Sequence, residues 1–168
     1  LFGAFAQMLP DQVPACSGGS EYGAAIAGYD KTKTPWKSWI CMDFANETAA
    51  GGRSGRDGVD ANNAGITNIA NIPIEVMEME FPIRIEEYGI LPDSEGAGEY
   101  RGGMGMVRKY RFLEDETIVQ IRSDRSKKPP YGVNGGESSR KAKITINSEG
   151  DERNMPSKFL VTVNKGDV

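Results

Sequence analysis

The sequence contains no histidine. That absence excludes every His-based catalytic triad and every His-containing metal site from this chain. Chemistry of either kind would have to come from another segment or another chain. Cysteine is scarce. Cys16 and Cys41 sit in apolar or small-residue surroundings, and two thiols make no disulfide framework, so both read as buried or reduced. An excess of basic charge is also missing. With 20 Lys and Arg against 24 Asp and Glu, the net charge is −4, which leaves no electrostatic footprint for nucleic acid. The one basic cluster, Arg122, Arg125, Lys127 and Lys128, is interrupted by Asp124 and reads as a solvated loop. No apolar run approaches the roughly 18 residues of a membrane span, and no secretory leader is visible. These absences lead us to expect a soluble, cytoplasmic protein.

What the chain has in quantity is glycine. In "PDSEGAGEYRGGMGMVRKYRF", five of the ten residues from Gly96 to Gly105 are glycine. Glycine inside regular structure costs roughly 0.5–1 kcal/mol relative to alanine. Five of them could cost about 2.5–5 kcal/mol against a domain stability of about 5–15 kcal/mol. A geometric or functional demand must outweigh that. A second glycine-rich loop, "GGRSGRDG", holds Gly51, Gly52, Gly55 and Gly58 together with Arg53, Arg56 and Asp57, and Asp60 follows. Bare backbone lets a ligand or another chain approach its N–H groups closely, and arginine grips carboxylate or phosphate with two prongs. The pair of loops therefore reads either as loop-on-loop packing or as a surface for an anionic or amide ligand or a partner subunit. No nucleotide-binding fingerprint fits. The spacing Gly96, Gly98, Gly102 is G-x-G-x-x-x-G, a strand rather than a helix follows it, and no phosphate-binding G-x-x-x-x-G-K-[ST] is present.

Periodicity sets the fold class. The opening "LFGAFAQML" places Leu1, Phe2, Phe5, Met8 and Leu9 on one helical face, ended by Pro10 and Pro14. "YGAAIAGYD" and "WKSWICMDF" read as a hairpin around "KTKTP". Residues 47–73 show no periodicity, and an unstructured connection of that length is functional or disordered. From Met77 to Ile85, apolar residues fill the odd positions, a period-2 pattern. Asn71, Pro73 and Glu75 instead allow a short helix capped by Asn71, so we expect a helical turn near 73–79 and a strand over 83–91. "MVRKYRFL", "TIVQIRS", "KITIN" and "KFLVTVN" are further strands. The expected fold is α+β and β-rich, with mostly antiparallel sheets packed on one another, Gly-rich loops and an N-terminal helical segment. At 168 residues the chain suits a single domain, 1–168. It opens on Leu1 and stops just after the turn-like "NKGD", so both ends read as cut. Glu75, Glu78 and Glu80 read as a solvated face rather than an acid–base pair. Ser17, in "CSGGS", reads as part of a tight turn, since a serine nucleophile would need a lysine base or a donor from elsewhere.

Several blocks carry a family resemblance: "LFGAFAQMLPDQVPACSGGS", "ETAAGGRSGRDGVDA", "NIPIEVMEMEFPIRIEEYGILPDSEGAGEYRGGMGMVRKYRF" and "PPYGVNGGESS". The third is the most specific. In these blocks the chain resembles the C-terminal part of the hydantoinase B/oxoprolinase family. That family includes the B subunits of ATP-dependent N-methylhydantoinases, the matching half of 5-oxoprolinase, and a subunit of acetone and acetophenone carboxylases. Two departures stand out: Glu95 and Ser20 take places where glycine is usual. The family's closing glycine-rich tail does not follow Val168.

The resemblance implies a portion of an ATP-dependent cyclic-amide hydrolase subunit, acting on hydantoin, 5-oxoproline or lactam rings. An A-type ATPase subunit would use the ATP, and a divalent metal would be held by an upstream segment, with no cofactor and no metal ligand in this portion. The implied partners are that ATPase subunit, the N-terminal part of the same subunit, and a small cyclic-amide or ketone substrate. A ketone carboxylase subunit and a non-catalytic assembly domain are the alternatives. Family-pattern positions that could serve substrate or interface are Asp57, Glu75, Asp93, Arg101, Gly102 and Gly103, and the loop chemistry adds Arg53.

Overall fold

Hairpins dominate the architecture. The computed structural model describes residues 1–19, 23–44, 49–62, 70–147 and 150–168. Strands β1 (Gly23–Asp30) and β2 (Lys37–Asp43) pair antiparallel around a loop whose Thr34–Pro35 peptide is cis. β3 (Ile83–Ile90) pairs with β4 (Met106–Phe112), with a bulge between Ile85 and Glu87. β5 (Thr117–Arg122) and β8 (Lys158–Val163) pair antiparallel and join the first hairpin, giving a four-stranded sheet in the order β2-β1-β5-β8. The short β6 (Thr145–Ile146) and β7 (Arg153–Asn154) form a separate ladder. Every paired ladder is antiparallel, so the β-rich α+β expectation holds.

Strand parity builds the core. Cβ atoms alternate across a sheet. In the four-stranded sheet the inward positions carry Ala24, Ile26, Cys41, Val119, Ile121 and Val163, all buried. Ile83 and Phe112 of the second sheet and Met77 of helix α2 (Ile74–Glu80) meet them in one cluster. Burying a side chain such as Ile26 contributes about 1.5–3 kcal/mol, so the inward parity fixes the register.

Two local expectations need correction. The N-terminal helix α1 is a single turn, Phe2–Phe5, followed by a 3₁₀ turn at Pro10–Gln12. Its apolar face is not buried here: Phe2, Phe5, Met8 and Leu9 are exposed. Asn71 does not cap α2. Pro73 occupies the cap position with φ −54°, which suits its ring, and no side chain caps the helix. The Asn71 amide oxygen instead accepts from Arg108 Nη2 at 2.9 Å. The helical turn expected near 73–79 and the strand expected over 83–91 are both present, as α2, which buries Met77 alone, and β3. The acidic turn "SEGDERNMP" contributes β7, a strand the periodicity did not predict.

Candidate functional site

The two glycine-rich loops lie against each other. Gly58 N–H donates to the Arg101 carbonyl at 2.7 Å, and Gly103 N–H donates to the Ala50 carbonyl at 2.9 Å. Ala61 N–H reaches Met104 O at 2.8 Å, and within the first loop Ala50 N–H reaches Val59 O at 3.1 Å. The contact is main chain on main chain. A Cβ on Gly103 would stand 2.1 Å from Val59 O, and one on Gly58 would stand 2.2 Å from Ala50 O and 2.4 Å from Gly103 N. No side chain fits at either place. That close approach is the demand that outweighs the cost of glycine here.

Charge reinforces the seam. Asp60 accepts both Arg101 Nη1 at 2.7 Å and Nη2 at 3.1 Å, a two-pronged pair, and its Oδ1 also accepts Met104 N–H at 2.8 Å. Asp57 Oδ1 accepts the Arg101 backbone N–H at 2.9 Å. The Arg101 guanidinium, then the Met104 amide, hold the Asp60 carboxyl below its ordinary range. Reciprocally, the bond from Asp60 raises Arg101 above its own.

Two further segments complete the assembly. Ala15 N–H donates to Gly52 O at 2.8 Å and Cys16 N–H to Tyr131 O at 3.0 Å, so residues 15–16 bridge to the loop around Tyr131. That loop closes on the first: Glu137 N–H meets Ala97 O at 2.8 Å, and Arg140 N–H meets Ser94 O at 3.0 Å. Ser94, buried at the turn after β3, donates to Leu91 O and accepts Gly105 N–H at 2.9 Å. Together these loops wall a cleft of about 770 Å³ whose lining includes Cys16, Arg53, Tyr100, Arg125, Arg140 and Lys141. Small-molecule sites occupy about 300–1,000 Å³.

The positions singled out from the sequence divide as follows. Arg53 is exposed at a tight turn, where it exchanges backbone hydrogen bonds with Arg56, and it lines the cleft. Gly102 and Gly103 line the cleft as well. Asp57 and Arg101 face each other across the seam. Asp93 is exposed in a turn at φ +54°, and Glu75 is exposed on the first turn of α2; neither belongs to the cleft lining. Ser20 lies outside the described residues. The basic cluster splits. Lys127, Lys128 and Arg122 are exposed, whereas Arg125 is half-buried at the cleft with its Nε buried and without a hydrogen-bond partner.

Sequence reasoning missed a buried polar group between the sheets. Asp43 of β2 receives Arg108 and the Tyr110 hydroxyl, both from β4. Arg108 also stacks on Tyr88 at 4.3 Å. Burial pulls the Arg108 pKa down, but Tyr110 and Asp43 outweigh it and leave the pKa raised. Burial, then the charge of Asp43, pushes the Cys41 thiol up to about 11. One signal was available: Asp43 shares strand parity with buried Cys41, so it is an acid at a core position. Among the described residues no group of three or more His, Cys, Asp or Glu could hold a metal ion. No helix among them is long and apolar enough to cross a membrane.

Known proteins share this fold. A crystal structure of the ATP-dependent caprolactamase from Pseudomonas jessenii superposes with a TM-score of 0.78 at 22% identity, over 98% of this chain and 29% of that one. A nucleotide-free acetone carboxylase structure gives 0.65 at 16% identity, over 84% and 19%. In sequence, the chain is 38% identical to an uncharacterised protein of Methanocaldococcus jannaschii, over all of this chain and 28% of the relative. It is 32% identical to a candidate D-/L-hydantoinase B-type chain from a Pseudomonas species, over 95% and 26%. The chain thus spans about a quarter of the length of these two curated relatives. The family model for hydantoinase B/oxoprolinase matches residues 1–168, and the chain belongs to that family.

Proposed function

We propose that this chain is a portion of an ATP-dependent amidohydrolase subunit that opens a cyclic amide of hydantoin, 5-oxoproline or lactam type, together with an A-type ATPase subunit. Within it, the glycine seam is scaffold, and the cleft beside it receives an anionic or amide group of the substrate. The observation that carries this reading is the cleft itself, walled by main chain and flanked by Arg53, Arg125, Arg140 and Lys141. Arg101 braces the wall, because Asp60 takes both ends of its guanidinium. Arg53, Arg125, Arg140 and Lys141 are the lining cations left to face a ligand. Arg125 is the strongest of them, since a buried Nε without a partner gains most from an acceptor.

Relatives named as a hydantoinase and as 5-oxoprolinase favour ring opening over ketone carboxylation. The test uses the family-length subunit with its ATPase partner and a panel of hydantoin, 5-oxoproline and caprolactam. ATP-dependent ring opening is expected. Arg125→Ala should raise KM about tenfold or more, the worth of one charge-assisted hydrogen bond, with kcat changed far less. Unaltered KM in both Arg125→Ala and Arg53→Ala would refute the cleft assignment. Bicarbonate consumption driven by acetone, with no ring opening, would replace hydrolase with carboxylase.

A further inference from the structure

The four-stranded sheet has a second face, and it is apolar. Its outward positions run in register across the strands: Ile40, Ala27, Ile118 and Thr162 form one row, and Met42, Ala25, Gln120 and Leu160 the next. Phe44 extends the face beyond β2 and lies on Gly23, where an added Cβ would stand 2.8 Å from its ring. Ile40, Met42, Phe44, Ile118 and Leu160 are between 41% and 67% exposed. Antiparallel sheets that face water alternate apolar-in with polar-out. This one is apolar on both sides. Ala25 and Ala27 along β1 leave a shallow trough between the ridge of Ile40 and Met42 and the side chains of β5.

Charge marks one end of the face. Arg122 and Lys158 are directly opposite in the β5–β8 register, and both are exposed. Like charges facing each other across a strand pair destabilise it. A carboxylate placed over them would reverse the sign of that contribution.

We infer that this face is an intramolecular interface: another part of the family-length subunit lays an apolar layer along the β1 trough, with a carboxylate against Arg122 and Lys158. This rests on the reading of the chain as a portion of a larger subunit. Its relatives are long enough to supply the layer, since the chain spans only 28% and 26% of two of them. The caprolactamase chain that shares the fold is likewise more than three times the matched span.

Thiol labelling of the family-length subunit, read peptide by peptide by mass spectrometry, tests the interface. Ile40→Cys and Leu160→Cys probe the face, and Lys33→Cys, in the exposed β1–β2 loop, is the control. With the subunit alone and dilute, both face positions are expected to label about a hundredfold more slowly than the control, and at the control rate in urea. Labelling as fast as Lys33→Cys overturns the inference. Protection that appears only at high concentration assigns the face to a second copy, and protection that needs the ATPase assigns it to that partner; either result overturns it. Arg122→Glu combined with Lys158→Glu should speed labelling at Ile40→Cys about tenfold, and unchanged labelling would remove the carboxylate. The assay is independent of turnover. A protected face in a subunit without cyclic-amide hydrolysis would refute the proposed activity while leaving the interface standing.

Discussion

Replacing Gly103 by alanine adds one methyl group where two main chains touch. The new Cβ would stand 2.1 Å from Val59 O, 2.6 Å from the Val59 carbonyl carbon and 3.1 Å from Ala50 O, whereas ordinary contact begins at 3.4 Å. Backbone cannot swing aside as a side-chain tip can, so the loops must separate by about 1.3 Å. Three hydrogen bonds clamp that contact: Gly103 to Ala50 at 2.9 Å, Gly58 to Arg101 at 2.7 Å, and Ala61 to Met104 at 2.8 Å. Separation by 1.3 Å takes all three out of bonding range. At about 0.5–1.5 kcal/mol net for each bond, the expected loss is about 3 kcal/mol. For a chain of this size that is about 6–12 °C in Tm. Thermal and urea unfolding followed by circular dichroism reads the effect directly. Gly89→Ala is the matched control, because nothing lies within 4 Å of its added Cβ. It should stay within about 0.5 kcal/mol of the parent. If Gly103→Ala melts within about 1 °C of the parent, the seam is not what the glycine serves.

The Asp60 carboxyl gives a pH signature. Its pKa is depressed in the folded state below the ordinary 3.8, so its stabilising contribution is complete above about pH 4 and is lost as pH falls below that. Acid unfolding curves should show this component, and Asp60→Asn should be less stable near pH 7 while losing less between pH 4 and pH 2; parallel curves would contradict the linkage. The buried group between the sheets should be sensitive to loss of one partner. Asp43→Ala leaves Arg108, whose side chain is 4% exposed, without its carboxylate, and a cost of about 3–5 kcal/mol is expected from urea midpoints. A cost under about 1 kcal/mol would place that pair in the class of solvent-screened ion pairs.

What the sequence disclosed and what it withheld follow from range. Strand parity is local, so the hairpins and the strand from Ile83 were legible from side-chain alternation alone. At Met77 the alternation also suggested a strand, but Pro73 and Glu75 pointed to the helical turn that is there. Asn71 had the chemistry of a cap, but its acceptor went to Arg108, 37 residues away. Bare backbone at Gly58 and Gly103 announced that something must come close, and spacing could not say that each loop is the other's neighbour. Arg101 was recognisable as a two-pronged donor, whereas its acceptor Asp60 lies 41 residues back. Arg125 was lost among exposed lysines because burial depends on how the loops close. Asp43, Arg108 and Tyr110 were missed for the same reason, their contacts spanning 65 and 67 residues.

The glycine seam also constrains the order in which the molecule can assemble. Its bonds join residues 44 apart, such as Asp57 and Arg101, whereas each hairpin joins neighbours. Chain closure over such a span must be met before any contact rewards it. Adjacent strands therefore zip before the loops lock, and the seam belongs with the later contacts, as does the pairing of β1 with β5. In a pulsed hydrogen-exchange refolding experiment, the amides of Gly58 and Gly103 would gain protection after those of Ile26 and Ile85. The cleft, being built from those loops, would come into being only after the hairpins have formed.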